Sequence, residues 1–412
     1  LPKMLARLGY ETALVGKMHF GGNLQFHGFQ HRPYGDLMGT ASHQYEDKLW
    51  ERQSAAQSRH DNGLDAEPNI GDNLRARTEI VGRTKIPESL ICDNIIADET
   101  IALLRNHVKK TPDRPWFTCA SFSRPHYPLT SPLRFNDAYS NETISKPYVP
   151  ASGASYDHPV SDLIRKGWSI SEIGAEENMR ARAAYFACVS YFDEIVGDLL
   201  LRLDKSGLLE NTIIVYASDH GEMAGELGTW WKSGWYEGCC RVPMMISLPE
   251  HRTGALPAAT ITTPVSTLDL VPTFTAMGGG TPNAGLTGTD LTAAIGGATV
   301  LPDRRICCDH INARWGAGTE FRVVRWRNWK YVGFRGYDDL LFDLDSDPYE
   351  SVNMIGAAPR DVEEYLRAKA CDDVDYDYID GPLMARQAQL KATYPLNKGL
   401  AMPNQFLLPG GC

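Results

Sequence analysis

Residues Thr212–Pro249 read TIIVYASDHGEMAGELGTWWKSGWYEGCCRVPMMISLP. The run opens on β-prone residues, Thr212–Ala217, and polar residues end it abruptly. That pattern predicts a buried strand. Ser218, Asp219, His220 and Gly221 stand at its carboxyl end, where open α/β sheets place their chemistry. An acid beside an imidazole offers a pair of metal donors, and Gly221 permits a sharp turn. The same residue types also serve ordinary strand-to-loop turns. Lys232 follows among Trp230, Trp231, Trp235 and Tyr236. Such aromatics either hold a quaternary ammonium by cation–π contact or pack under the loop. Val242–Leu248 returns to the sheet, with Glu237 and Arg241 expected to pair across the turn before it.

The totals bound what this stretch can belong to. A chain of 412 residues buries a large core and is expected to form one large unit and a smaller one. Its 43% hydrophobic and 22% charged residues are ordinary for a globular protein. A net charge of −10 argues against a nucleic-acid partner, so any anion site must be built from a few local cations. No apolar run reaches membrane-spanning length. Nine cysteines do not suggest a disulfide framework; the adjacent pairs Cys239-Cys240 and Cys307-Cys308 read as packing residues. Asn141-Glu142-Thr143 matches a glycosylation sequon but does not locate the protein, and cytoplasm, periplasm and secretion all stay open.

Outward from the opening stretch, several segments carry chemistry. Residues 2–8 predict a helix with Pro2 in its first turn and Gly9 beyond its end, and Tyr10–Val15 predicts a strand. Gly16-Lys17-Met18-His19 follows that strand; an ammonium and an imidazole there can neutralise a tetrahedral anion. His27 and His31 read as loop histidines. Met38 to about Ile91 reads as a long polar insertion over the active face. Asp93 is expected to cap a helix to about Lys109, with Ile96, Leu103 and Leu104 on its apolar side. Pro115–Phe122 predicts a buried strand ending in Ser123-Arg124-Pro125-His126-Tyr127-Pro128. Its two prolines are expected to hold the loop extended, so that His126 is a positioned acid. Residues 177–205 predict the strongest helix, with Tyr185, Val189, Phe192, Val196, Leu199 and Leu203 on one face. Its Asp193 and Glu194 point about 100° apart and do not converge. Val265–Met277 predicts a strand-to-helix passage with Asp269 as cap and Pro272 in the first turn. Three short antiparallel strands are expected over 305–334, then a turn from Leu341 to Glu350.

Taken together, Ser218–Glu222, Trp231-Lys232, Glu237-Gly238, Gly16–His19 and Ser123–Pro128 resemble the motifs of the type I sulfatases, in family order. That family belongs to the alkaline-phosphatase-like superfamily, and the wording is nearest to its choline-sulfatase-like and iduronate-sulfatase-like branches. The resemblance implies an α/β fold, the alkaline-phosphatase-like three-layer sandwich with a small C-terminal antiparallel sheet. The main unit would span 1–300 and the smaller one, with the tail, 301–412. It implies that Lys17, His19, His126 and Lys232 contact a sulfate ester and carry the catalysis, with His310 leaning over the pocket. It implies that Asp219 and His220 hold a divalent metal, calcium being the expected ion.

The family nucleophile is a formylglycine made from the Cys or Ser of C-x-P-x-R or S-x-P-x-R. Thr130-Ser131-Pro132-Leu133-Arg134 matches the spacing, but oxidised Thr is a ketone, and the segment reads as a surface turn. None of the nine cysteines lies in that motif. The chain opens without Met and at the edge of a helix. The formylglycine and an Asp pair are therefore expected upstream of Leu1. The implied reaction is hydrolysis of a small-molecule or glycan sulfate ester, with homo-oligomerisation left open. The alternatives are a phosphonate monoester or phosphodiester hydrolase of the superfamily, and an inactive anion- or glycan-binding relative.

Overall fold

The computed structural model describes residues 1–18, 20, 26–36, 81–84, 86–168, 170, 173–311, 313–372, 374–379, 381 and 385. Helix α1 (Pro2–Arg7) ends before Gly9, whose φ of +93° is the left-handed stop the sequence predicts. Strand β1 (Glu11–Lys17) is buried between its two end residues. After it come β2 (Gly35–Asp36), β3 (Val81–Arg83), the long helix α2 (Cys92–Lys110), β4 (Trp116–Ser121) and β5 (Leu129–Ser131). The pairs β1–β2, β1–β4 and β3–β5 are all parallel. Gly16 permits the closest approach in the β1–β4 pair. A Cβ there would stand 2.0 Å from the Ser121 carbonyl oxygen, and its φ is +102°. Only glycine fits at the point where Lys17 leaves the sheet.

Helix α3 (Pro159–Gly167) precedes α4 (Ala175–Lys205), the longest helix described. The buried face of α4 keeps the predicted Leu199 and Leu203 but departs from the prediction N-terminal to them. It runs through Ala181, Ala184, Cys188, Tyr191, Ile195, Leu199 and Leu203, while Val189 is exposed. Small side chains decide this. They let the helix settle against β5, close enough for Cys188 Sγ to donate to the Thr130 carbonyl at 3.4 Å. The bulkier stripe one step round is left half-covered. Asp193 and Glu194 are exposed, and Glu194 pairs with Arg134.

Strands β6 (Ile214–Ala217) and β7 (Met244–Ser247) form an antiparallel ribbon. Strand β6 is half-buried rather than buried, with Ala217 exposed. Helix α5 (Leu270–Met277) follows a 3-10 turn that Ser266 caps, its hydroxyl accepting from Leu268 N. Asp269 is the N-cap residue of α5, as expected, but its side chain makes no cap bond to that helix. Asp269 instead bonds Ser266 N and receives both arms of Arg304.

Strands β8 (Arg305–His310), β9 (Phe321–Trp326), β10 (Trp329–Phe334) and β11 (Leu340–Asp343) make an antiparallel sheet in the order β11-β10-β9-β8, with α6 (Arg360–Cys371) packed on it. Strand β11 replaces the start of the predicted turn. The turn itself begins after it, closed by Asp347, whose carboxylate accepts from Ser351 and Val352 N.

One core crosses both predicted units. Trp230, Trp231, Trp235 and Tyr236 lie in it beside Ile164, Phe321, Val332 and Phe342. All four aromatics are at most 3% exposed. They are packing residues, which removes the quaternary-ammonium reading for them. No helix among the described residues is long and apolar enough to cross a membrane.

Candidate active site

Four separate segments deliver the predicted cations and imidazoles to one place. Strand β1 ends at Lys17, β4 runs into the turn bearing His126, β6 runs into Asp219 and His220, and the loop after Glu222 carries Lys232. Lys232 Nζ lies 2.7 Å from His220 Nε2 and 3.5 Å from His126 Nε2. The two imidazole centroids are 6.0 Å apart. Each ring places Nδ1 2.9 Å from a backbone carbonyl, Tyr127 O for His126 and Gly221 O for His220. A carbonyl only accepts, so both Nδ1 atoms carry hydrogen. Both Nε2 lone pairs therefore face the Lys232 ammonium. Burial, with the charges of Lys17 and Lys232, lowers the affinity of His126 for a second proton well below the ordinary range. Burial and Lys232 lower His220 likewise, Asp219 opposing. The cluster thus holds two imidazoles against the Lys232 ammonium, with Lys17 near enough for its charge to act on both.

The His126 segment is a turn, not the extended loop that its prolines suggest. His126 N donates to Ser123 O at 3.0 Å. A buried carboxylate fixes it. Asp93 Oδ1 accepts from Ser123 N at 2.6 Å and from Arg124 N at 3.3 Å, and Oδ2 holds Arg124 Nη1 at 2.6 Å. Arg124 Nε then donates to Thr130 O at 3.1 Å. Asp93 is therefore not the helix cap that its position suggested, since α2 starts at Cys92 with Ile91 as cap residue. The sequence carried one sign of this: an acid among the apolar residues Ile91, Cys92, Ile95 and Ile96.

Glu222 plays a similar part for Lys232. Its Oε1 accepts from Trp231 N at 2.5 Å and from Ala224 N at 3.0 Å. Burial pushes its carboxyl up to about 7, against the pull of those amides and of Lys232. Glu237 does not pair with Arg241 as expected; its carboxylate receives Lys330 Nζ at 3.0 Å.

His19 lies outside the described residues, as does most of the 38–91 insertion. His310 ends β8 and stacks on Phe321, centroids 5.0 Å apart, and Phe321 meets Trp235 edge-on. His31 pairs with Glu11, at the end of β1 opposite Lys17, and His27 packs on Phe20. Thr130 and Ser131 are buried in β5 rather than exposed on a turn. Arg134, from the same match, holds Glu88 and Glu194 at the surface.

Asp219 and His220 are suitable metal donors by type, Asp219 Oδ2 lying 3.4 Å from His220 Nε2. Calcium takes about six to eight oxygen ligands. Among the described residues no group of three or more His, Cys, Asp or Glu side chains converges, and the Lys232 ammonium engages the Nε2 that a metal would take. The pair by itself is not a complete shell.

The sequence profile of the Sulfatase family matches residues 1–280. The chain belongs to the sulfatase family. Its reaction class is sulfuric ester hydrolysis. Choline-sulfatase of Rhizobium meliloti is 30% identical over 406 residues, covering 95% of this chain and 74% of the relative. Human iduronate 2-sulfatase is 30% identical over 275 residues, 63% of this chain and 46% of the relative. The solved structure of phosphonate monoester hydrolase from Agrobacterium radiobacter superposes with a TM-score of 0.66 at 22% identity, covering 96% of this chain and 80% of that one. That likeness establishes the alkaline-phosphatase-like fold. The family generally uses a divalent metal and a formylglycine.

Proposed function

We propose that this sulfatase binds the sulfate group of a small-molecule or glycan ester between Lys17 and Lys232, and that Lys232 protonates the departing alcohol. His19 and His310 are proposed as further substrate contacts. Asp219 and His220 are proposed as this chain's share of a divalent-metal site, with calcium the expected ion. Formylglycine would supply the nucleophile and the metal a Lewis acid. The rest falls to residues on these four segments. The two cations offset the charge of the sulfate. As the ester bond to sulfur breaks, the leaving oxygen takes a proton from the Lys232 ammonium. The neutral Nε2 of His126 accepts a hydrogen bond from that ammonium as charge redistributes, while the Nε2 of His220 holds it only in the metal-free chain.

The observation that supports this reading is the placement of Lys232 Nζ between two Nε2 lone pairs, 2.7 and 3.5 Å away. It supports Lys232 as the acid over His126, whose affinity for a second proton is lowered by burial and the two lysines.

A leaving-group series with the natural full-length protein tests it. Lys232→Ala should slow hydrolysis of an alkyl sulfate, which needs protonation, by about 10²–10⁴-fold. Nitrophenyl sulfate, whose leaving group needs little help, should lose far less. Equal losses on both esters would remove Lys232 from the acid role. A clear preference for a matched phosphonate monoester would overturn the sulfate reading.

A further inference from the structure

We propose that the indole N–H groups of Trp168 and Trp315 are positioning groups for Lys232. Lys232 sits between two non-glycine residues in the left-handed region, Trp231 at φ +68° and Ser233 at φ +73°. Side chains disfavour that region, so such a backbone persists only where its surroundings hold it. Here the surroundings are explicit. Four consecutive carbonyls, 231 to 234, each receive a donor from outside the arch. Trp231 O takes Met223 N at 3.1 Å, and Gly234 O takes Cys240 Sγ at 3.6 Å. The central two take the indoles: Trp168 Nε1 donates to Lys232 O at 3.3 Å, and Trp315 Nε1 donates to Ser233 O at 3.0 Å.

The two tryptophans come from distant parts of the chain, Trp168 from the end of α3 and Trp315 from the loop after β8. They meet each other edge to face with centroids 5.3 Å apart. The Arg314 guanidinium stands over both rings, at 4.6 and 5.0 Å. The place for Trp315 is cut out by a missing side chain. A Cβ at Gly167 would lie 2.5 and 2.6 Å from its Cζ3 and Cε3 atoms. Without the indole donors, the carbonyls of Lys232 and Ser233 would turn to find water, and the Lys232 stem would leave His220. The C-terminal sheet thereby helps to place the lysine, through a residue that never touches the ester.

This inference rests on the proposed anion-binding role of Lys232, and the experiment separates the two. Inorganic sulfate is titrated by calorimetry into the wild type and into Lys232→Ala, Trp168→Phe, Trp315→Phe and Gly167→Ala. Phe keeps an aromatic ring and removes the N–H. Gly167→Ala leaves Trp315 chemically intact but displaces its ring. Each of the last three should weaken sulfate binding about 3- to 10-fold, the worth of one positioned hydrogen bond. Trp315→Phe should cost nothing further when Lys232 is already Ala, a result that general loosening of the fold would not give. In the metal-free protein the ring 15N shift of His220 Nε2 reports the Lys232 hydrogen bond directly and should move in Trp315→Phe. An unmoved shift, or sulfate affinity within twofold of wild type in both Phe variants, would overturn the proposal. Equal sulfate affinity in wild type and Lys232→Ala would sink the anion-binding role instead, leaving the 15N shift to decide the positioning. If Trp315→Phe fails to fold, a benzothienyl side chain at 315, with sulfur in place of N–H, replaces it in both measurements.

Discussion

Asp93 and Arg124 are both buried, and each satisfies the other while holding the backbone that leads to His126. Asp93→Asn keeps the shape and leaves a guanidinium buried without its counter-charge. Breaking one side of such a pair costs about 3–5 kcal/mol. Urea unfolding should show a loss of that size, and a loss under about 1 kcal/mol would mean that the pair is not closed in solution. His158 makes a prediction about pH. It is buried against Trp235 and Phe334, donates Nε2–H to Asp338 O, and accepts Val160 N on Nδ1 as the cap of α3. Burial lowers its proton affinity below the ordinary 6.5, with Asp338 and Asp339 opposing. A base depressed in the folded state leaves stability whole above about 6.5; stability falls as pH drops toward the folded value, because the unfolded chain takes the proton first. Melting temperature should therefore decline between about pH 6.5 and 5. His158→Asn keeps a capping oxygen and should flatten that decline.

Elements respond to added atoms according to what faces them. Gly16→Ala would drive a methyl into the β4 backbone at Ser121 while φ stays positive. The expected cost is on the order of 3 kcal/mol, with Lys17 displaced. Gly197 is the opposite case: it is exposed in the middle of α4, and nothing lies within 4 Å of its would-be Cβ. Gly197→Ala should stabilise by about 0.5–1 kcal/mol. Denaturant midpoints of the two variants should shift in opposite directions; a shared direction would contradict the packing described for one of them.

At the scale of the molecule, the C-terminal sheet is tied to the Lys232 loop by a buried charge. Lys330 of β10 is fully buried, its Nζ 2.6 Å from Glu350 Oε1 and 3.0 Å from Glu237 Oε1. Glu350 Oε2 also accepts Glu237 N at 2.9 Å. Burial pulls the Lys330 proton affinity down, yet Glu350 and Glu237 more than offset it and raise it overall. Lys330→Met should cost about 3–5 kcal/mol, because two carboxylates lose their counter-charge. Adding Glu350→Gln should recover part of that loss. If the double variant is no more stable than the single one, the charges are not what Lys330 contributes.

Local pattern was enough for the strands that end at Lys17, near His126 and before Asp219, and for the long helix 175–205. Each is a run of apolar residues with a polar or glycine stop, and a short window contains all of that information. The same windows put Lys17, His126, Asp219 and His220 after strand ends, while Lys232 and the anion-binding roles came from the family's motifs. The face of α4 was legible there only at its C-terminal end, where Leu199 and Leu203 are buried as expected. Two apolar stripes compete along that helix, and only its neighbour β5 selects the one with small residues. The supports of the site were hidden for a related reason. Asp93 lies 30 positions from Ser123, and Trp315 lies 82 from Ser233. An acid or an indole carries no local mark of the distant backbone group it will bond. Its partner is set by the packing of layers, through distances that exist only once the chain has folded.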